Sequence, residues 1–188
     1  MKKSVLIECL SKIAWAYLFI YLNFNFNFSS VRINLIPTWV GYRMLYETIP
    51  VLKNKQKTLA LLEPLCYGLM ICYGIEWGLN ILGISINITV VNLLLNIADL
   101  YFHFQFLTDL AELLACYQLP STGKLYQLRT VRTILLTIQA LPLSWTQIKW
   151  VVIVLAVLYL TVIVMTCTTL FTLKDELSEK DDCFEMSE

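Results

Sequence analysis

The stretch WVVIVLAVLYLTVIVMTCTTLFTL, residues 150–173, decides the solvent in which this chain folds. It holds no charged residue, and about 20 apolar residues are enough for a helix to cross the hydrocarbon core of a bilayer. In water, a helix that is apolar on every face would have to be buried on every side. We therefore predict a transmembrane helix over residues 150–173.

The composition of the whole chain agrees with a membrane solvent. Of its 188 residues, 58% are hydrophobic and 15% are charged, and the mean hydropathy is +0.67; a soluble domain is about 45–50% apolar and about 25% charged. Further apolar segments cover residues 5–22, 38–51, 59–82, 84–117 and 131–145. The sequence thus predicts an all-α fold, a polytopic membrane helix bundle with six transmembrane helices. Because the 131–145 segment is short and contains Pro142, five transmembrane helices plus a re-entrant helix are the alternative.

The chain divides into two predicted parts. Residues 1–173 form a transmembrane helical domain, and residues 174–188 hold two lysines and seven acidic residues, which is typical of a solvated, disordered tail. Within the first part, residues 23–30 read NFNFNFSS. We interpret this alternation, directly after a membrane helix, as an extended interfacial loop rather than a strand. Pro37 is predicted to start the second helix, because proline suits the first helical turn.

The positive charges orient this layout, because cytoplasmic loops of membrane proteins are enriched in lysine and arginine. With six helices, the outer loops hold only Arg32 and Lys149. We therefore predict a protein of the cell membrane with both termini in the cytoplasm. The inner segments hold the remaining loop cations: Lys2, Lys3, Lys53, Lys55, Lys57, Lys124, Arg129, Arg132, Lys174 and Lys180.

A polar seam on the fourth helix is the main candidate site. Its members are spaced 4, 3, 4, 3 and 4 residues apart, which places them on one helix face. A polar face in lipid should be turned toward the bundle interior or a water-filled cavity. The seam predicts a ligand or ion pathway that opens inward at His103; interhelical hydrogen bonding is the structural alternative. The seam consists of Ser85, Thr89, Asn92, Asn96, Asp99 and His103.

A second polar stripe lies on the second helix and contains Arg43 and Glu47. Arg43 is about ten residues from the outer end, about 15 Å deep at 1.5 Å per residue. A charge at the bilayer centre costs roughly 2.5–3.5 kcal/mol, so Arg43 needs a partner. We predict that Arg43 pairs with Asp99, at similar depth, rather than only with Glu47.

Other classes of site and partner are constrained by what the sequence lacks. His103 is the single histidine, so a multi-histidine metal site is excluded, and we predict no metal, no cofactor and no catalytic residue. No basic patch lies outside the short loops, so no nucleic-acid partner is expected. The expected partners are the lipid bilayer and, through the helix-packing spacing Gly74-x-x-x-Gly78, other membrane subunits or a second copy of the chain.

Two stretches near the N-terminus, YLNFNF at residues 21–26 and NLIPTWVGY at residues 34–42, resemble an uncharacterised family of small multi-pass bacterial membrane proteins. That family carries an NFN…LPxWxGY-like pattern, in which Thr38 here replaces the usual aspartate. The resemblance implies a bacterial inner-membrane location. It implies no activity and no site residues.

These observations predict a non-enzymatic membrane component, either a transporter subunit or a binding or accessory protein. Its candidate site comprises six residues of the two stripes. The alternative is an intramembrane enzyme that acts on a lipid or small molecule through Asp99 and His103. The candidate pathway residues are Asn92, Asn96, Asp99, His103, Arg43 and Glu47.

Overall fold

The computed structural model describes residues 3–21, 25–28, 31–34, 37–84, 89–140 and 149–185, and side chains in nearly all of them. This part of the chain forms six helices and one two-stranded hairpin. In chain order they are α1 (Lys3–Tyr21), β1 (Asn25–Phe28), β2 (Val31–Asn34), α2 (Thr38–Leu52), α3 (Leu59–Ile81), α4 (Thr89–Ala115), α5 (Thr122–Ala140) and α6 (Lys149–Glu185).

Four of these helices, α1, α3, α4 and α6, are long and apolar enough to cross a membrane. The predicted helical class is therefore confirmed, whereas the count of six spans is not. The 131–145 segment differs most from its prediction. Helix α5 begins at Thr122 and includes Lys124, Arg129 and Arg132, because two of these cations lie against other helices instead of ending the helix in water. Residues 141–148 lie outside the described part of the chain.

Successive helices pack antiparallel to each other. Tyr42 near the start of α2 lies beside Tyr73 near the end of α3, and Arg129 of α5 bonds to Thr108 in the second half of α4. The first residues of α5 and the last turns of α6 also meet, at Ser121 and Glu176. The bundle therefore has two ends. We call them the lysine end, with Lys53, Lys55 and Lys57, and the hairpin end, with β1 and β2.

The hairpin corrects the interfacial-loop interpretation of residues 23–30. Strands β1 and β2 pair antiparallel, with Asn25 opposite Asn34 and Phe28 opposite Val31. Strand pairing satisfies backbone groups that an extended loop would leave to solvent. Residues 25–28 therefore pair with residues 31–34, and the alternation alone did not reveal this second strand.

Packing is concentrated at the lysine end. Residues buried in the main core include Leu10 of α1, Leu52 of α2, Leu62 of α3, Leu110 of α4 and Leu173 of α6. The hairpin ends of α4 and α6 are mostly exposed instead, although Leu95 and Leu155 are half-buried against neighbouring side chains. The exposed apolar residues of these two segments include Val90, Val91, Leu93, Leu94, Ile97, Val152, Ile153, Val154, Val157 and Leu158.

One glycine permits the closest helix approach in the bundle core. A Cβ atom on Gly41 would lie 2.5 Å from Ile20 Cγ1 and 2.6 Å from the Ala16 carbonyl oxygen. The Gly74-x-x-x-Gly78 spacing is not used in this way, because a Cβ on Gly74 would only touch Trp39 at 3.9 Å and one on Gly78 would meet nothing within 4 Å. Association with another chain through these two glycines stays a prediction.

Helix α6 is 37 residues long and extends through the boundary that we placed at residue 174. Leu177 is fully buried, and Glu176 accepts hydrogen bonds from Ser121 Oγ at 2.5 Å and from the Ser121 backbone N–H at 3.3 Å. Up to Glu185, the segment expected to be disordered is therefore helical. The physical reason is that Leu177 is buried in the main core and Glu176 bonds to Ser121, directly before α5.

Candidate functional site

A cluster of polar and aromatic side chains occupies the middle of the bundle, and every helix contributes to it. We call it the polar core. Its acid and its histidine come from α4, its arginine from α5, and its phenols from α1, α2, α3 and α6. Its members are Tyr17, Tyr21, Tyr42, Tyr73, Asp99, His103, Arg132 and Tyr159.

Helical spacing explains how these side chains meet. Asp99 and His103 are four residues apart on α4, as are Tyr17 and Tyr21 on α1, so each pair lies on one helix face. Tyr42 stacks on Tyr73 with ring centroids 5.3 Å apart and lies against the His103 ring at 5.6 Å. The prediction that Asp99 and His103 face the bundle interior agrees with these contacts.

His103 is held at both ring nitrogens. Its Nε2 lies 2.9 Å from the Tyr42 hydroxyl and its Nδ1 lies 3.2 Å from the Tyr17 hydroxyl, and only 1% of the residue is exposed. A neutral imidazole has one N–H donor and one acceptor nitrogen. Both are used here by phenols, so His103 is fixed in position and closed to solvent.

Asp99 accepts hydrogen bonds from phenols. The Tyr42 hydroxyl donates to Asp99 Oδ1, and the Tyr73 hydroxyl donates to the same oxygen at 3.4 Å. His103 Nε2 lies 3.5 Å from this oxygen. The Asp99 side chain remains 19% exposed. Asp99 is thus one of four partly exposed members of the polar core, together with Tyr21, Tyr73 and Tyr159.

Arg43 does not join Asp99, and that prediction is wrong. Arg43 Nε lies 3.4 Å from Glu47 Oε1, and the two side chains are 63% and 48% exposed. On α2, Tyr42 faces α4, so the neighbouring Arg43 points away from it. Glu47, one turn along α2, is therefore the partner that Arg43 can reach.

Arg132 is the charged member of the polar core that was not predicted from the sequence. It was counted among the cytoplasmic loop charges, yet it is 3% exposed. Its Nη2 donates to the Tyr21 hydroxyl, and its guanidinium carbon lies 4.6 Å and 5.9 Å from the ring centroids of Tyr21 and Tyr17. The available signal was the position of Arg132 within an apolar stretch, directly after Val131 and before Ile134.

The remaining seam residues lie toward the hairpin end. Asn92 and Asn96 are exposed, Ser85 lies outside the described residues, and so does the side chain of Thr89. Exposure on α4 therefore rises from His103 toward Asn92. His103 is buried at the inner end of the seam, so the seam does not open to solvent at His103 as we expected. Whether Asn92, Asn96 and Asp99 form a pathway stays a prediction.

Within the residues that the structure describes, no group of three or more histidine, cysteine, aspartate or glutamate side chains could hold a metal ion. Comparisons with protein-family models, with curated proteins and with solved structures give no match. The functional argument therefore depends on the geometry of the polar core and on the surfaces around it.

Proposed function

We propose that the protein is a multi-pass component of the bacterial inner membrane, with both termini in the cytoplasm, which binds a small polar solute without chemically converting it. In this proposal the lysine end faces the cytoplasm, because lysine-rich loops stay on that side. The start of α1 and the end of α6 belong to the same end of the bundle as these lysines, which supports a cytoplasmic position for both termini.

A count of six crossings is part of this proposal. Helix α2 has 15 residues, about 22 Å at 1.5 Å per residue, which is shorter than the roughly 30 Å hydrocarbon core. Helix α5 carries three cations. Both helices alternate in direction with their neighbours, so we place them as crossings that are shielded by the four long helices. A re-entrant α5 with five crossings remains the alternative.

The observation that carries the proposal is the position of Asp99 on α4, three residues further from the hairpin end than Asn96 and seven further than Asn92. These three side chains lie on one face of α4, and both asparagines are exposed in a segment that is otherwise apolar. Amide groups turned toward lipid would lose their hydrogen bonds with water at a cost of several kcal/mol. We therefore infer that this face borders a hydrated space between the hairpin ends of the helices, with Asp99 at its floor.

The solute inferred for this space carries a positive charge. No lysine or arginine among the described residues lies within 4.0 Å of Asp99; its partners are two phenols and His103. A carboxylate beside stacked phenol rings favours a cationic group, because aromatic faces attract cations. Tyr42 is fully buried against Tyr73, so the partly exposed ring of Tyr73 is the aromatic group next to Asp99 that a solute could reach.

The second candidate is an intramembrane enzyme that uses Asp99 and His103. Their separation of 3.5 Å would suit acid–base chemistry. Against it, both ring nitrogens of His103 are engaged by buried phenols, so a substrate would have to displace Tyr17 or Tyr42 to reach the imidazole. We therefore assign the two residues to binding rather than to catalysis.

Charged thiol reagents test the proposal. Asn96→Cys is made in a background whose native cysteines are replaced, with Leu94→Cys as control, because Leu94 is 61% exposed but lies on the opposite face of α4. In liposomes, a trimethylammonium-ethyl methanethiosulfonate should modify residue 96 about threefold or more faster, relative to a free thiol, than its sulfonate counterpart. Residue 94 should react with neither reagent.

Asp99→Asn should remove the preference for the cationic reagent at position 96 while leaving the position reactive. Equal protection of positions 96 and 94 would show that the seam is packed and would overturn the hydrated space. A cation preference that survives Asp99→Asn would overturn the role of Asp99. If the protein converts a small molecule or lipid, and Asp99→Asn abolishes that activity, the result would favour the intramembrane enzyme.

A further inference from the structure

A second polar site lies on the other side of His103 from Asp99. Helices α4 and α5 enclose a narrow cleft of about 160 Å³, including its open mouth. Its polar lining consists of His103, Arg129, Arg132 and Thr133, and its apolar lining includes Leu100 and Leu136. The cleft brings two guanidinium groups from successive turns of α5 to one place.

Neither arginine has an acidic partner among the described residues. Arg129 donates to Thr108 Oγ1 at 2.8 Å and to Thr130 Oγ1 at 3.3 Å, and its guanidinium carbon lies 4.5 Å from the Phe104 ring centroid. Arg132 donates to the Tyr21 hydroxyl. These acceptors are neutral hydroxyls. The positive charge of each guanidinium is therefore uncompensated.

Both arginines also retain an unused donor. The Nε atoms of Arg129 and Arg132 are buried and have no hydrogen-bond partner. A buried donor without an acceptor, and a buried charge without a counter-charge, are each destabilising. Asp109 follows Thr108 on α4, but neither of its oxygens bonds to Arg129: Oδ1 accepts from Gln105, and the buried Oδ2 has no hydrogen-bond partner. The cleft thus lacks an anion that two arginine side chains could share.

The surroundings indicate which anion fits. Paired arginines match the geometry of a phosphate group, which accepts two parallel N–H bonds from one guanidinium. Leu100 and Leu136 are half-buried apolar residues of the lining, and the adjoining surface of α5 exposes Val131 and Ile134. Arg129 lies seven residues from the start of α5, about 10 Å from the lysine end. An anion with attached alkyl chains suits this combination.

We propose that Arg129 and Arg132 bind the phosphate of an anionic phospholipid in the cleft between α4 and α5, with its acyl chains against Leu100 and Leu136. In the closed arrangement no point of the cleft is wide enough for a water molecule, so the half-buried Arg129 side chain turns outward to meet the phosphate. Basic pockets between helices on the cytoplasmic side of a membrane bind headgroups in this way. The site rests on the membrane location and orientation proposed above.

Thermal unfolding of the full chain in detergent tests the site. Phosphatidylglycerol added to the micelles should raise the Tm by several degrees, because a ligand that binds only the folded state stabilises it; phosphatidylcholine should not. Arg129→Gln should lose this rise. Lys124→Gln, which removes an exposed cation from the same helix, should keep it. Arg129 is the variant to use, because Arg132 lies in the polar core and its replacement can prevent folding.

Inorganic phosphate forms a second arm of the titration. An equal rise with phosphate alone, lost in Arg129→Gln, would support the phosphate chemistry but overturn the lipid as its source. A rise with phosphatidylcholine as large as that with phosphatidylglycerol, or the same loss in Lys124→Gln as in Arg129→Gln, would overturn the site. The reagent experiment at Asn96 uses different residues, so either proposal can fail alone.

Discussion

Gly41→Ala should separate α1 from α2, since it adds a methyl group where the two helices are closest. The new Cβ would lie 2.5 Å from Ile20 Cγ1 and 2.6 Å from the Ala16 carbonyl oxygen. Non-bonded carbon atoms normally approach to about 3.5–4.0 Å, so the helices must part by about 1 Å. Rotation of Ile20 relieves only one of the two contacts, because the carbonyl belongs to the α1 backbone.

The magnitude follows from two opposing effects. Forcing a methyl group into a packed core costs about 1–3 kcal/mol, whereas replacing a glycine inside a helix by alanine gains about 0.5–1 kcal/mol. We expect a net loss of about 1–2 kcal/mol in the free energy of unfolding, or about 5–30-fold in the folding equilibrium. The assay is reversible unfolding in mixed micelles of a mild detergent and dodecyl sulfate.

Gly68→Ala is the matched control. Gly68 also lies inside a helix, and a Cβ there would meet nothing within 4 Å. This variant should be as stable as the native chain or more stable by about 0.5–1 kcal/mol. Ile20→Ala combined with Gly41→Ala should lose less than the sum of the single changes, because one clash disappears. If Gly41→Ala proved as stable as Gly68→Ala, the close approach of α1 and α2 would be refuted.

Two further predictions concern the lysine end. Glu176→Gln should destabilise the chain by about 1–2 kcal/mol, since it weakens charge-assisted hydrogen bonds to Ser121 directly before α5. Glu179 is an exposed acid on the same helix, and Glu179→Gln should change the free energy of unfolding by less than about 0.5 kcal/mol. Equal losses in the two variants would contradict the contact between Glu176 and Ser121. Cys116 is an exposed thiol in the turn after α4. As the sole cysteine, it should react with a membrane-impermeant maleimide only after cells are permeabilised, and labelling of intact cells would reverse the proposed orientation.

Helix positions could be predicted from the sequence wherever an apolar run is uninterrupted. The expected segment over residues 59–82 corresponds to α3 at Leu59–Ile81, because the apolar run begins after the lysine-rich turn and ends at Gly83, whose positive φ closes the helix. The predicted segment over residues 131–145 was wrong because its helix is not a purely apolar run. There, cations inside the helix were read as loop residues, and only tertiary contacts reveal that Arg129 and Arg132 lie against the side chains of Phe104 and Tyr21.

The site could be predicted in part for a similar reason. Periodicity on α4 identified Asp99 and His103 as neighbours on an inward face, since spacing within one helix is visible in the sequence. The partners of these residues come from other helices, and phenols give no polar signal among apolar neighbours. Tyr17, Tyr42 and Tyr73 were therefore not identified, and Arg43 was chosen for Asp99 on depth alone, although depth does not determine which face of α2 points inward.

The phenols explain how the polar core holds Asp99 and Arg132 without a direct ion pair between them. Tyr42 has one hydroxyl hydrogen and donates it to Asp99, so at 2.9 Å from His103 Nε2 its oxygen must accept from the imidazole N–H. In a neutral imidazole His103 Nδ1 is then the acceptor, and Tyr17 donates to it. Every hydrogen bond in this chain points toward Asp99, and Tyr17 lies beside Arg132 at the other end.

Such a chain can be reversed only by moving every proton in it, and hydrogen bonds that align in one direction strengthen each other. Asp99 and Arg132 are thereby stabilised by oriented dipoles rather than by direct pairing. Each charge keeps one side free of an opposite charge, and that side of Arg132 faces the cleft between α4 and α5. A cation at the first site and a phosphate at the second would meet opposite ends of one hydrogen-bonded chain, which links the two proposed sites through His103.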